Sequence, residues 1–349
     1  MSNPIFQPKL LEHLETLTEE EVFLYLCETV SFEPTKRNRI DLFTLTDDDL
    51  IHLCRFNSRD LEEIARKLGL PPVISTPSRY SFTREEAFFL LCVRLASHTR
   101  YRTLSLLLGY SVSQISEVFN WMLAFMIKEW DFLLEDFSSG QLTIPRLEQF
   151  ASHIHNRGAP LPQCWGFLDC TIRPICRPSQ WQRTAYNGHK KTHALKYSAV
   201  KAPDGITYHL FGPYEGRRND NALLHDSQLL DRCRVFAGDF YLFGDPTYPL
   251  SDVLQAPFSR IELSTEEKEF NKKMSRCREC VEWGFGEVVR LWSSLDFKPS
   301  QRIFSSAIGK HYRVATLLTN IHICLYGSQT SIFFNCHPPS LDEYLKKRE

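Results

Sequence analysis

One apolar segment of the chain reads Cys164-Trp-Gly-Phe-Leu-Asp169-Cys-Thr-Ile-Arg-Pro-Ile175. Its short apolar run predicts a strand. The exception within it is Asp169. A carboxylate in so apolar a strand is costly to bury unless it is paired, hydrogen-bonded or bound to a metal ion. We therefore expect a functional site at this strand.

Further apolar runs predict the rest of the sheet. The runs at 192–200 and 206–212 flank the turn Pro203-Asp-Gly205 and predict a hairpin, while 240–243 predicts a fourth strand. Helices are predicted from 220 to about 233, from 265 to about 295 and from about 305 to 326. A mixed sheet covered by helices is an α/β layered domain.

Two more carboxylates lie where they could meet Asp169. Asp245 follows the fourth predicted strand, so the two aspartates can meet if their strands are neighbours. Glu282 lies on the helix predicted from 265, in a polar stripe beside its apolar face. This stripe consists of Asn271, Ser275, Arg278 and Glu282. The alternatives are a turn-forming role for Asp245 and an i, i+4 ion pair between Glu282 and Arg278.

Three such carboxylates suit the cleavage of phosphodiester bonds. In-line attack builds charge on the entering and leaving oxygens, and two divalent cations about 3.5–4 Å apart stabilise both. Carboxylate oxygens favour Mg²⁺ or Mn²⁺, which keep positions open for water and phosphate. We predict that Asp169, Asp245 and Glu282 are both catalytic residues and metal ligands.

Residues 1–157 are predicted to be helical throughout. Capping boxes begin helices at Thr83 and Ser111, and Gly109 ends a short helix between them. This order predicts a helix-turn-helix at about 83–128. Its second helix would present polar side chains to DNA, namely Ser113, Gln114, Glu117 and Asn120. An ordinary helical corner is the alternative.

Composition narrows the class of protein. The chain has 349 residues, of which 43% are hydrophobic and 24% are charged, as in globular proteins. It has no recognisable signal peptide and no apolar run of the roughly 18 residues that span a membrane, so we expect neither secretion nor a membrane location. The 11 cysteines lack the spacing of a disulfide framework and predict free thiols of an intracellular protein.

The net charge of −1 hides a basic segment. Residues 173–218 contain nine Lys and Arg against two acids, Asp204 and Glu215. A basic segment beside acidic residues is expected if the substrate is a polyanion that reaches the carboxylates through metal ions. A solvated loop and strand edge is the alternative.

These pieces resemble, in order, the motifs of the PIF/Harbinger class of DDE transposases and the nucleases derived from them. They stand at Gly166-Phe-Leu-Asp-Cys-Thr171, Tyr186-Asn-Gly-His-Lys-Lys191, Gly216-Arg-Arg-Asn-Asp220, Gly244-Asp-Pro-Thr-Tyr248 and 271–285. The resemblance covers about 165–325, and the upstream helices look like the family's N-terminal helix-turn-helix region.

The resemblance implies an RNase H-like fold at 158–330, with a mixed sheet flanked by helices. The helical domain at 1–157 would precede it, and a tail at 331–349 would follow. Asp169, Asp245 and Glu282 would form the DDE triad, with Asn271 and Arg278 as secondary positions beside it. Asp220 matches a recurring family aspartate, although its place at the start of a helix favours an N-cap role.

The resemblance also implies DNA as the partner. The residues expected to contact it are His189, Lys190, Lys191, Arg217, Arg218, Gln114 and Asn120. Family members commonly work in the nucleus with a separate Myb-like protein, and paired DNA ends favour a homodimer. The predicted function is a metal-dependent DNA endonuclease that, in a full transposase, also transfers strands.

Two other functions remain open. The chain could be a domesticated, non-catalytic factor that binds DNA or a protein. It could also be a scaffold, in which the acids only pair with Arg173, Arg177 and Arg278.

Overall fold

The computed structural model describes residues 39–135, 137 and 142–347. The N-terminal part is largely helical, and a short hairpin interrupts it. Its helices are α1 Asp47–Cys54, α2 Ser58–Lys67, α3 Arg84–Ala96, α4 Tyr101–Leu108, α5 Val112–Trp130 and α6 Ile144–Asn156. The hairpin consists of β1 Val73–Ser75 and β2 Ser81–Thr83. Residues 1–38 of the predicted helical region lie outside the described residues.

The hairpin corrects the prediction that this region is helical throughout. Pro71 and Pro72 precede β1, and proline disfavours helix in the residue before it and in a helix interior. The strands pair antiparallel, and the Thr76 amide donates to the Tyr80 carbonyl at 2.9 Å where the chain reverses. The two prolines therefore interrupt the helical pattern, and a hairpin forms between the helices on either side.

The predicted helix boundaries around the turn at Gly109 are confirmed. Thr83 and Ser111 both form capping boxes, and Gly109 ends α4 in the left-handed conformation with φ 74°. Glycine carries no side-chain penalty there. The short helix and the capped second helix have the expected order, while a DNA-binding helix-turn-helix stays a prediction.

A mixed sheet forms the second part of the chain. Its strands are β3 Cys164–Pro174, β4 Tyr186–Asn187, β5 Thr192–Lys201, β6 Thr207–Glu215, β7 Tyr241–Phe243 and β8 Leu254–Gln255. The order runs β4-β5-β3-β7-β8, with β6 also paired to β5. The β3–β5 and β5–β6 pairs are antiparallel, whereas β3–β7 and β7–β8 are parallel. The predicted strand, hairpin and fourth strand are thus confirmed.

Helices cover this sheet. They are α7 Gln182–Ala185, α8 Asp220–Asp226, α9 Leu229–Phe236, α10 Thr265–Leu291, α11 Ile308–Tyr326, α12 Gln329–Phe334 and α13 Leu341–Tyr344. The long helix α10 packs on β3 and β5, and α6 packs on β3. No helix of the described residues has the length and apolar character needed to cross a membrane.

The single helix predicted from 220 to 233 is in fact two. Gln228 adopts a left-handed conformation with φ 52° between α8 and α9. The Ser227 hydroxyl donates to the Leu224 carbonyl at 2.8 Å and accepts from the Leu229 amide at 3.3 Å. A serine that bonds its own backbone in this way competes with helix continuation.

The segment predicted as a C-terminal tail belongs to the core. Phe334 and Tyr344 are both buried, and the Asn320 amide donates to the Tyr344 hydroxyl at 2.9 Å. Because α12 packs on α10 and α13 packs on α11, the end of the chain supports the helices that cover the sheet.

Arg313 joins the helical part to the sheet. Its guanidinium on α11 donates to Asp131 at 2.7 Å and to Glu135 at 2.8 Å. The same group donates to the carbonyls of Leu210 and Gly212 on β6, both at 2.9 Å. One hydrophobic cluster also includes residues of both parts, so the helices and the sheet share a core.

Candidate active site

Asp169 lies on β3, and Asp245 comes just after β7, the parallel strand that neighbours β3. Phe167 of β3 pairs with Phe243 of β7, and each aspartate comes two residues after its phenylalanine. Neighbouring strands are about 4.8 Å apart, which brings the two carboxylates to one sheet edge. The first and fourth predicted strands are therefore neighbours, which is the condition under which the two aspartates could meet.

Asp169 is held by two hydrogen bonds. The Cys170 amide donates to Oδ1 at 2.8 Å, and the Arg278 guanidinium donates to Oδ2 at 3.1 Å. Burial raises the pKa of Asp169 to about 6, against the opposing effects of the Cys170 amide and Arg278. The charges of Asp245 and Glu282 raise this pKa further. The three acids are therefore electrostatically coupled.

Asp245 lies in a tight turn after β7. The Thr247 amide donates to Asp245 Oδ1 at 2.8 Å, and the Thr247 hydroxyl donates to the same oxygen. Asp245 therefore has the turn-forming role that the sequence left open as an alternative. Gly244 is required here, because a Cβ at this residue would come within 2.5 Å of the Tyr248 ring.

Tyr248 supports the turn from inside the protein. Its ring is buried, and its hydroxyl lies 3.3 Å from the Cys170 sulfur. Burial raises the pKa of Tyr248 well above its usual range, and the charge of Asp169 adds to the effect. The contact joins the turn after β7 to the residue next to Asp169.

Glu282 reaches the site from α10, and its side chain is 62% exposed. Arg278, one turn earlier, lies 3.9 Å from Glu282 Oε1 and also bonds Asp169. The predicted i, i+4 ion pair is therefore present, and the same guanidinium separates two acids of the proposed triad. The described residues contain no group of three His, Cys, Asp or Glu side chains arranged to hold a metal ion.

The other secondary positions have structural partners. Asn271 Oδ1 accepts from the Phe258 amide at 3.0 Å, and its Nδ2 donates to the Phe258 carbonyl at 2.9 Å. Asn271 therefore fastens the preceding loop to α10.

The N-cap role predicted for Asp220 is wrong. Asn219 is the cap of α8, because its extended backbone lets Oδ1 accept from the Ala222 amide at 2.9 Å. The Asp220 carboxylate instead accepts from the buried Lys196 ammonium, which also donates to the Arg218 carbonyl at 2.9 Å.

The structure brings the two basic segments together. His189, Lys190 and Lys191 are exposed in the turn between β4 and β5, as are Arg217 and Arg218 after β6. Asn187 links them, because its Oδ1 accepts from the Lys190 amide at 2.8 Å and its Nδ2 donates to the Gly216 carbonyl at 2.7 Å.

Gln114 and Asn120, two of the four polar residues predicted on the recognition helix, lie on α5. Gln114 Oε1 accepts from the Ser111 amide at 2.8 Å, so its side chain belongs to the capping box. Asn120 is exposed, and its Nδ2 donates to the Ser116 carbonyl at 2.9 Å. Asn120 is thus the more accessible of the two.

Two residues at the site are not singled out by sequence reasoning. Lys196 could be found from its position in an apolar strand, because a buried ammonium needs a carboxylate partner. Tyr248 carries no such local signal, since its contact with Cys170 depends on β7 lying beside β3.

The model of a family described as DDE superfamily endonuclease matches residues 168–320 of the chain. The matched range contains Asp169, Asp245 and Glu282, and a mixed sheet flanked by helices is consistent with this kind of nuclease fold. The match supports a DDE transposase-like family and leaves the PIF/Harbinger subtype as a resemblance. Searches of curated proteins and of solved structures found no match.

Proposed function

We propose that this protein is a DNA endonuclease of the DDE transposase type, with Asp169, Asp245 and Glu282 as its catalytic residues. The observation that carries the proposal is that Asp245 directly follows β7, the parallel strand paired with the strand that carries Asp169. The electrostatic coupling of Glu282 to Asp169 and the family match over the same residues support it.

The residues present suit Mg²⁺ or Mn²⁺ in their chemistry, because all three supply carboxylate oxygens. When bound, two such cations would stabilise the entering and leaving oxygens of the phosphodiester and lower the pKa of the attacking water. Arg278 already occupies Asp169 Oδ2 at 3.1 Å. Asp169 Oδ2 can therefore bind a metal ion only if this guanidinium moves.

The chain's own residues fix two of the acids. The Cys170 amide orients Asp169, and the two donors of Thr247 orient Asp245. Such support keeps catalytic groups in place without reorganisation during the reaction. Glu282 lies on a packed helix but extends into solvent, so it can approach the aspartates by changing its rotamer.

A non-catalytic DNA- or protein-binding factor is the second candidate. The ion pair between Arg278 and Asp169 favours it, because a neutralised aspartate has no need of metal. In that case the exposed basic segments would carry the activity and the acids would stabilise the fold.

Nicking of a supercoiled plasmid in a Mn²⁺ titration tests the proposal. Wild type should nick in a metal-dependent manner, and Asp169→Asn should abolish nicking while DNA affinity and the unfolding midpoint stay close to those of wild type. Asp239→Asn, at an exposed carboxylate before β7, is the matched control and should nick normally. Equal nicking by Asp169→Asn and wild type would exclude the triad. DNA binding without nicking would favour the second candidate.

Three further proposals rest on the resemblance. We propose a nuclear location, a Myb-like DNA-binding partner and a homodimer on paired DNA ends. Light scattering of the purified chain with and without DNA tests the last of these, since a monomeric complex would exclude a dimer.

A further inference from the structure

Two large aromatic side chains meet on the surface beyond the end of β3. The rings of Trp181 and Phe304 have centroids 5.4 Å apart and are tilted by 52°. Trp181 is 66% exposed and Phe304 is 61% exposed. Two contacting aromatic rings that stay this exposed leave ring faces open to a ligand.

The backbone holds both residues in an unusual conformation. Trp181 has φ 53° and Phe304 has φ 70°, in the left-handed region that bulky residues rarely adopt. Such strain persists only where the surrounding structure imposes it, and it is often found at functional sites. Here it places a bulky ring on the surface at both positions.

The two rings lie on segments 175–185 and 298–308, and these two segments are joined by a backbone hydrogen bond. The Cys176 amide donates to the Gln301 carbonyl at 2.8 Å. Below this link, Ile175, Ala185 and Ile308 form a small buried hydrophobic cluster. The hydrogen bond and the buried cluster therefore hold the two segments that carry the aromatic pair in a fixed relative position.

The same two segments carry positive charge without negative charge. The sequence has no Asp or Glu from 170 to 203 or from 297 to 341. Exposed cations lie on both segments near the aromatic pair in sequence, namely Arg177, Arg183, Lys298 and Arg302. Such a surface favours a polyanion over a neutral or acidic partner.

One cation from each segment lies close enough to His193 to affect its pKa. Burial lowers the pKa of His193, and the charges of Arg177 and Lys298 lower it further. The His193 ring also meets Tyr186 edge-on, with centroids 5.3 Å apart. Because Tyr186 and His193 are paired across β4 and β5, the surface continues into the basic turn at 188–191.

We propose that Trp181 and Phe304 form a stacking site for an unpaired base of a DNA strand whose phosphates lie along the cations of these two segments and the basic turn. In duplex DNA the base faces are covered by neighbouring bases, so only an unpaired nucleotide can use exposed rings. The inference rests on the proposed function and specifies its substrate as DNA that contains unpaired nucleotides.

Binding without metal tests this site separately from catalysis. Fluorescence anisotropy of the full chain in EDTA would compare a blunt duplex with the same duplex carrying a three-nucleotide gap. Wild type should prefer the gapped DNA. Trp181→Ala and Phe304→Ala should each weaken gapped-DNA binding by roughly 5- to 100-fold and leave blunt-duplex binding nearly unchanged. Trp181→Phe should retain most of the affinity, because it keeps an aromatic face.

Ile332→Ala is the control, because Ile332 is 77% exposed on α12, an element outside both segments. Thermal unfolding of each variant checks that it is folded. Equal affinity of wild type for both DNAs, absence of DNA binding, or unchanged binding by Trp181→Ala and Phe304→Ala would overturn the stacking site. If the variants lose gapped-DNA binding as expected while the plasmid assay shows no metal-dependent nicking, the stacking site stands and the endonuclease proposal fails.

Discussion

The guanidinium of Arg278 donates to the carboxylate of Asp169 at 3.1 Å, from a helix to a strand that is distant along the chain. The same group lies 3.9 Å from Glu282. One cation therefore sits between two acids of the proposed triad. It stabilises the charged form of Asp169 without metal and competes with metal for it.

Removing this charge should strengthen metal binding. We expect Arg278→Gln to bind Mn²⁺ on the order of tenfold more tightly, since a unit charge 3.1 Å from one ligand and 3.9 Å from another opposes a cation by at least about 1 kcal/mol. Calorimetric titration without DNA measures the change. Arg276→Gln removes an exposed charge from the same helix and serves as the control. Equal Mn²⁺ affinity of Arg278→Gln and wild type would contradict a shared site for Arg278 and metal.

The basic turn should contribute to DNA affinity through phosphate contacts. Lys190→Glu/Lys191→Glu should weaken binding to all duplex sequences alike and reduce the slope of log K against log salt by up to about 2, at about 0.9 per lost contact. Filter binding at four salt concentrations measures this slope. Arg66→Glu, at an exposed position on α2, should leave the slope close to that of wild type. An unchanged slope in the double variant would show that the turn does not contact phosphate.

Two glycines of α10 should respond oppositely to alanine. A Cβ at Gly284 would lie 2.3–2.6 Å from the side chain of Lys201, which is buried near its partner Glu287 at 3.9 Å. We expect Gly284→Ala to lower the free energy of unfolding by about 1–3 kcal/mol and to reduce nicking, because overpacking displaces the helix that carries Glu282. Gly286 has nothing within 4 Å of such a Cβ. Gly286→Ala should raise the free energy of unfolding by up to about 1 kcal/mol, because alanine favours a helix over glycine.

Urea unfolding and the plasmid assay measure both variants. A Gly284→Ala protein as stable as Gly286→Ala would mean that Lys201 can move aside without cost.

Buried histidines should make the fold sensitive to acid. Burial lowers the pKa of His209 to about 3, and of His311 and His322 to about 4. Since the unfolded chain binds these protons near pH 6.5, the stability they contribute is present above that pH and is lost as pH falls towards the folded pKa. As the pH falls from 6.5 to 5, each buried histidine should lower the free energy of unfolding by on the order of 2 kcal/mol. Asp169, with its raised pKa, acts with the opposite sign.

His209→Leu tests this sensitivity, because neither ring nitrogen of His209 has a hydrogen-bond partner among the described residues. Urea unfolding at pH 7.5, 6 and 5 should show a flatter pH dependence by about one proton than in wild type. His52→Leu, at an exposed position, should leave the pH dependence unchanged. The prediction is contradicted if His209→Leu and wild type lose stability in parallel.

Local signals in the sequence predict most of the fold. The apolar run at 164–175, the capping boxes at Thr83 and Ser111 and the glycine stop at Gly109 each act within one element. The structure has a strand at Cys164–Pro174 and has both caps and the glycine stop where expected. The failures also have local causes. Prolines cause the hairpin that begins at Val73. Ser227 and Gln228 divide a helix that the sequence predicted as one.

The sequence alone therefore determined which chemical groups are available: three acids in suitable elements, a basic segment and an apolar strand that had to be buried. Only the tertiary structure decided their partners. The pairing of β3 with β7 brings the turn that holds Asp245 to the strand that carries Asp169, and the packing of α10 directs Arg278 to Asp169. The contact of Trp181 with Phe304 likewise depends on segments far apart in the chain. Periodicity and capping act over a few residues, whereas these contacts depend on which elements become neighbours when the core is buried.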